Sequence, residues 1–182
     1  MNLILIRHSQ TIDSKDWAGE IKLRPLSKVG IFRVQIFSKF IVKRYFHNFE
    51  YIFSSEYTRS IQTAEILKNN LKPNRFVITS SLNPEKDITE FLLILKKLPR
   101  IHKIICAVGH YPYIANLINH LTGQPKEDFH MKKPSMVEID IDEHMKGKVI
   151  VKFNFDDNLD NKEIPIKRSS PYKETIEELE LP

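Results

Sequence analysis

The chain has 182 residues, 28 Lys and Arg against 23 Asp and Glu, and a formal net charge of +5 at pH 7, which fits one domain with a tail. A single cysteine, Cys106, excludes an intramolecular disulfide framework, and 41% hydrophobic with 28% charged residues excludes a disordered or fibrous chain. No apolar stretch approaches the ~20 residues of a membrane span, and the run Leu3-Ile4-Leu5-Ile6 is too short for a signal-peptide core, so a soluble, cytoplasmic protein with no membrane partner is expected.

That first apolar run has the pattern of a strand buried on both faces. Ser27 is placed to cap a helix whose apolar positions Ile31, Val34, Ile36, Phe37, Phe40 and Ile41 recur at helical spacing, so the stripe from Ile31 to Phe46 is assigned to the core. Tyr51 to Phe53 is a second short strand, and Ile61, Ala64, Ile66, Leu67 and Leu71 mark a helix over 57–71. Phe76 to Ile78 is a third strand. Asp87, followed three residues later by Glu90, has the form of a capping box before Phe91-Leu92-Leu93-Ile94-Leu95. Ile104 to Val108 is a fourth strand, and Pro112 and Gly123 bracket a helix over 112–121.

Strands alternating with helices predict an α/β fold: a three-layer α/β/α domain around a mainly parallel sheet. Residues 136–142 and 148–155 instead alternate apolar with polar around a loop containing Gly147, which predicts an antiparallel hairpin at the sheet edge. Residues 156–182 carry eight acids against four bases, −4 in all, and include Pro165, Pro171 and Pro182. The expected division is a domain over 1–155, with a charge of +9, and an acidic, proline-containing extension over 156–182.

A basic body suits an anionic ligand, either phosphate or nucleic acid. No recognised nucleic-acid-binding motif is present, so nucleic acid is not the expected partner. There is no GxxxxGK[ST] loop and no GxGxxG, and no Cys, His and carboxylate spacing of a metal site. Nothing visible in the sequence requires a metal, and nucleotide cradles are absent.

In an open parallel sheet, ligands bind beyond the carboxyl ends of the strands. Arg7-His8-Ser9 follows the first strand, the segment from Ser54 to Arg59 the second, Ser80 to Asp87 the third, and Gly109-His110 the fourth. Two arginines and two histidines therefore converge on one edge. Phosphoryl transfer needs positioning and charge on the equatorial oxygens. Arginine supplies forked donors, and a neutral histidine is a nucleophile.

These segments resemble the histidine phosphatase superfamily, also called the phosphoglycerate-mutase-like family, and in it the small SixA-type phosphohistidine phosphatases. Arg7-His8 resembles the RHG motif, and Arg24-Pro25-Leu26-Ser27-Lys28-Val29-Gly30 resembles RPL(S/T)xxG. Phe53 to Ala64 resembles (V/I)xSPxxRAxQTA, Leu82-Asn83-Pro84 an LxP loop, and Val108-Gly109-His110-Tyr111-Pro112 the VGHxP block. The resemblance spans about residues 3–141 in family order. It implies a phosphatase that needs no metal or organic cofactor, in which His8 is the nucleophile and Arg7, Arg59 and His110 bind the phosphoryl oxygens. The short connection to the LxP loop leaves no room for the large insertion that supplies an acid in mutase-like members. Glu85 and Asp87 are the candidates for a general acid, with Asp87 more readily read as a helix cap.

The implied substrate is phosphohistidine on a histidine phosphotransfer domain, and hence a role in signal transduction. The alternatives are a phosphatase for small phosphate esters and a phosphate- or phosphoprotein-binding module with impaired catalysis. That last alternative is motivated by Ser9, which stands where the motif has glycine and adds a Cβ and a hydroxyl; Ser9 is also a phosphate-binding candidate. Ser55 replaces the motif proline. His47, His102, His120, His130 and His144 match no motif and are expected to be structural or exposed, and Lys132-Lys133 is expected to be a solvated pair.

Overall fold

Each strand places alternate side chains on opposite faces of one sheet, and helices cover both faces. The computed structural model describes residues 1–45, 49–98 and 103–155. In chain order the elements are β1 (Asn2–Arg7), α1 (Lys28–Tyr45), β2 (Phe49–Ser54), α2 (Thr58–Leu71), β3 (Arg75–Ile78), α3 (Thr89–Lys97), β4 (Ile104–Gly109), α4 (Tyr113–Thr122), β5 (Ser135–Ile141) and β6 (Gly147–Asn154). Short 3-10 turns at Ser14–Asp16, Ile21–Leu23, Ser80–Leu82 and Lys126–Asp128 fill the connections. The extension over 156–182 lies outside the described residues, as do Phe46, His47 and His102.

The sheet order is β3-β2-β4-β1-β5-β6. The four strands from β3 to β1 pair in parallel, and β5 and β6 add antiparallel. The predicted α/β fold with a mainly parallel sheet and an antiparallel edge hairpin is therefore present. Leu3 and Leu5 of β1 pack with Phe91, Leu95, Ile114 and Ile118 of α3 and α4. Ile4 and Ile6 pack on the other face with Val34, Phe37, Ile41, Ala64 and Leu67 of α1 and α2. All four β1 side chains are fully buried, each contributing about 1.5–3 kcal/mol of transfer free energy. Two-sided burial explains why the run is continuously apolar.

The helix signals work through specific bonds. Ser27 Oγ accepts the Gly30 N–H at 3.0 Å at the start of α1. Asp87 Oδ1 accepts the Thr89 N–H at 2.8 Å before α3, while Glu90 pairs with Lys86 at 3.5 Å. Gly123 closes α4 with a left-handed φ of 70° and donates its N–H to the Asn119 carbonyl. One core assignment changes: Ile36 is 38% exposed, because it lies off the arc of Val34, Phe37 and Ile41 that faces the sheet. Among the described residues, no helix is long and apolar enough to cross a membrane.

Candidate active site

Strand register brings the two histidines together. β1 and β4 are parallel neighbours with Arg7 opposite Gly109, so His8 and His110 leave adjacent strands at the same level. Their ring centroids are 5.1 Å apart, and both rings are buried, at 5% and 2% exposure. β2 lies on the other side of β4, with Ser54 opposite Val108. The chain turns after β2 into α2, whose first turn carries Arg59 across to His8.

The bonding of His8 fixes its tautomer. Its Nδ1 lies 2.7 Å from the Ser9 carbonyl oxygen. A carbonyl only accepts, so Nδ1 carries the proton. Arg59 Nε donates to His8 Nε2 at 3.2 Å, which requires a lone pair on Nε2. Burial and the nearby His110, Arg59 and Lys133 hold the His8 pKa well below the ordinary histidine value. His8 is thus a neutral imidazole with its Nε2 lone pair among cations.

His110 has the complementary arrangement. Glu56 N–H donates to Asn83 Oδ1 at 3.1 Å, so that atom is an acceptor, and Ser55 Oγ donates its proton to the same oxygen at 2.9 Å. His110 Nε2, 2.9 Å from Ser55 Oγ, must then be the donor in that contact. It also lies 3.2 Å from Ser60 Oγ. Burial, with Arg59, Arg7 and Lys133, lowers the His110 pKa to about 3. Ser55, which replaces the motif proline, is therefore a fully buried link between His110 and the Asn83 loop.

The arginines are anchored through part of their donors only. Arg59 gives an NH1 bond to the Ile21 carbonyl at 2.8 Å and lies over the Tyr57 ring at 4.5 Å. Arg7 NH1 donates to the Met131 carbonyl, its guanidinium lies over Tyr111, and its buried Nε has no partner. Ser9 is fully buried; its N–H donates to Thr63 Oγ1 at 3.3 Å, and its own Oγ has no partner. Thr63 Oγ1 in turn donates to the Arg59 carbonyl at 2.8 Å, tying the loop after β1 to α2.

Three sequence segments interlock around this pocket. The Gln10 carbonyl accepts the Ser27 N–H, and Ile12 N–H donates to the Pro25 carbonyl. Gln62 Oε1 of α2 accepts the Leu26 N–H at 2.7 Å. Gly30 lies where a Cβ would overlap the Gln10 carbonyl oxygen, so only glycine allows α1 to close against the loop bearing His8.

The two acids have different placements. Glu85 Oε2 accepts the Tyr57 hydroxyl at 3.0 Å, and the Tyr57 ring packs edge-on against His110 at 4.9 Å. Asp87 is engaged as the cap of α3, and that hydrogen bonding with Thr89 lowers its pKa. Lys133 is a correction: it is half-buried rather than solvated, and burial together with Arg7, Arg24 and Arg59 lowers its pKa. Neither Lys133 nor Arg24 was assigned a role from sequence; the first lacks a motif, and the second stood inside a motif without a stated contact. Among the described residues, no group of three or more His, Cys, Asp or Glu could hold a metal ion.

The fold is shared with several solved phosphatases. The protein histidine phosphatase SixA, in complex with tungstate, superposes with a TM-score of 0.76 at 19% identity, covering 85% of this chain and 97% of that one. An alpha-ribazole phosphatase from Shigella flexneri gives 0.69 at 19% identity over 85% and 96% of the two chains. A mycobacterial glucosyl-3-phosphoglycerate phosphatase gives 0.65 at 15% identity over 84% and 98%. No curated protein matches the sequence. Residues 3–91 match the family model described as histidine phosphatase superfamily, branch 1. That stretch contains Arg7, His8, Ser9 and Arg59, and over it the chain is similar to the histidine phosphatase superfamily.

Proposed function

We propose that the chain is a phosphatase that removes phosphate from phosphohistidine on a phosphotransfer protein, through a covalent intermediate on His8. The observation that carries this reading is the state of His8: neutral, protonated on Nδ1 toward the Ser9 carbonyl, with Nε2 facing Arg59. The likeness to SixA supports the substrate. In the first step, Nε2 attacks phosphorus and the bond to the leaving imidazole breaks, its electrons staying on that nitrogen, which takes a proton. Arg7, Arg59 and His110 hold the equatorial oxygens. In the second step, water attacks phospho-His8, inorganic phosphate leaves and the Nε2 lone pair is restored. No metal enters either step. Of the two acids, Glu85 is the one tied to the pocket, through Tyr57, and an imidazole leaving group can also take its proton from solvent.

Incubation with a labelled phosphohistidine donor, followed by an alkaline quench, should trap acid-labile phosphate on His8. His8→Ala should abolish both label and turnover, and EDTA should leave turnover unchanged. Equal turnover in His8→Ala would sink the covalent mechanism.

Ser9 supports a second reading, a phosphoprotein-binding module with impaired catalysis, since its buried hydroxyl adds bulk beside the nucleophile. Binding of a phosphohistidine domain without turnover, with catalysis recovered in Ser9→Gly, would decide for it. Small phosphate esters, the substrate class named for the alpha-ribazole and glucosyl-3-phosphoglycerate phosphatases, are the runner-up within enzymes. A higher kcat/KM on such esters than on phosphohistidine protein would select them.

A further inference from the structure

The phosphoryl pocket leaves part of the surrounding positive charge unmatched. Arg59 touches the His8 ring, and Arg7 acts electrostatically on the neighbouring His110. Arg24 and Lys133 stand beyond them, on the wall of a cleft of about 440 Å³ that begins at Gln10, two residues after His8, and continues along Thr11, Ser14 and Ser27. Arg24 has a buried Nε with no hydrogen-bond partner. No acid among the described residues forms an ion pair with Arg24 or Lys133. Asp13 also lines the cleft, but its Oδ1 accepts the Lys15 N–H at 3.0 Å and the Ser14 hydroxyl at 3.5 Å. Arg7, Arg24 and Arg59 all act electrostatically on Lys133, so the four cations form one positive field.

Partly buried cations without a counter-charge are costly, and they are retained where an anion completes them. A phosphoryl group carries a charge of about −2 at most near neutral pH, and the arginines beside His8 match it. Two cations remain, and both line the adjoining cleft: Arg24, and Lys133, which stands where the cleft meets the histidines and acts electrostatically on both.

We propose that this cleft is a second anion subsite: Arg24 and Lys133 bind a carboxylate or phosphate on the leaving group of the substrate while His8 engages the phosphoryl group. The proposal rests on the phosphatase reading for the phrase "leaving group", but the subsite itself does not. On this view the preferred substrates carry two anionic groups. The second one comes either from a small phosphorylated acid or from an acidic side chain beside a phosphorylated residue.

Binding tests the subsite without turnover. Methylphosphonate offers one anionic group, and methylenediphosphonate offers two. The full chain should bind methylenediphosphonate at least tenfold more tightly, and Arg24→Gln and Lys133→Met should each cut that ratio at least threefold. Because the ratio is taken within each variant, partial loss of folded protein cancels. A ratio near one in the unmodified chain, or a ratio unchanged in both variants, overturns the proposal.

The source is read from two kinetic pairs: phosphoserine against phosphoethanolamine, and phosphohistidine peptides with Glu or Ala beside the phosphorylated residue. An Arg24-dependent preference within the first pair identifies a small phosphorylated acid, and within the second an acidic protein segment. Turnover without such a preference in either pair overturns the leaving-group assignment. A chain that hydrolyses nothing yet shows the diphosphonate preference keeps the subsite and rejects the phosphatase reading.

Discussion

His8 and His110 are held neutral by the same surroundings that would bind an anion, and this sets the acid stability of the molecule. Both rings have pKa values below the ordinary histidine value, His110 at about 3. The unfolded chain therefore binds more protons than the folded one between about pH 3 and about pH 6.5. Stability is complete above that window and is lost as pH falls through it. For His110 alone, lowering the pH from about 6.5 to about 5 should remove about 2 kcal/mol. Denaturant titrations at several pH values should show this slope, and His110→Gln should flatten it; an unchanged slope would place the proton uptake elsewhere. A bound dianion reverses the balance by stabilising imidazolium. Phosphate or tungstate binding near pH 7 should thus draw a proton from solution, visible as a buffer-dependent binding enthalpy in calorimetry.

The elements of the fold were largely legible because their causes are local. Four fully buried residues in β1 give an uninterrupted apolar run, Ser27 caps α1 through one bond, and Gly123 takes a left-handed φ. The site was legible as far as it sits at strand ends, which is why Arg7, His8, Arg59 and His110 converge. Lys133 and Tyr57 were not, because their place at the pocket depends on tertiary contacts between segments far apart in sequence. The same holds for the bond network of Glu138. This β5 residue is 4% exposed and accepts the Tyr45 hydroxyl at 2.7 Å and Arg44 at 3.2 Å, joining α1 to the sheet. Tyr45→Phe should cost about 1.5–3 kcal/mol in chemical denaturation, since the lost hydrogen bond is to a charged group. Gly30→Ala acts on the other end of α1. Its Cβ meets backbone at Gln10 rather than a flexible side chain. It should cost about 1–3 kcal/mol by overpacking and also lower kcat/KM by moving the loop that carries His8, whereas Tyr45→Phe should leave kcat/KM unchanged.

Across the whole molecule, charge is divided between a body of +9 over residues 1–155 and a tail of −4 over 156–182. Arg7, Arg24, Arg59 and Lys133 stand together at the candidate site, so the field there should speed the approach of an anionic substrate. The tail acts on that approach in one of two separable ways. If its acids only reduce the net field, a chain ending at Phe155 should show higher kcat/KM than the full chain at low salt, with the two converging at high salt. The Debye length shrinks from ~30 Å at about 0.01 M to ~3 Å at about 1 M ionic strength, so a long-range contribution disappears over that span. If the tail instead covers the cationic mouth, a contact at short range should persist, and the truncated chain should remain faster at every salt concentration. The field account is the expected one, because it needs only the charge separation and no fixed position for the tail. Truncation without effect at low salt would refute it, and kcat measured at saturating substrate should be the same for both chains, since steering changes encounter and not the chemical steps.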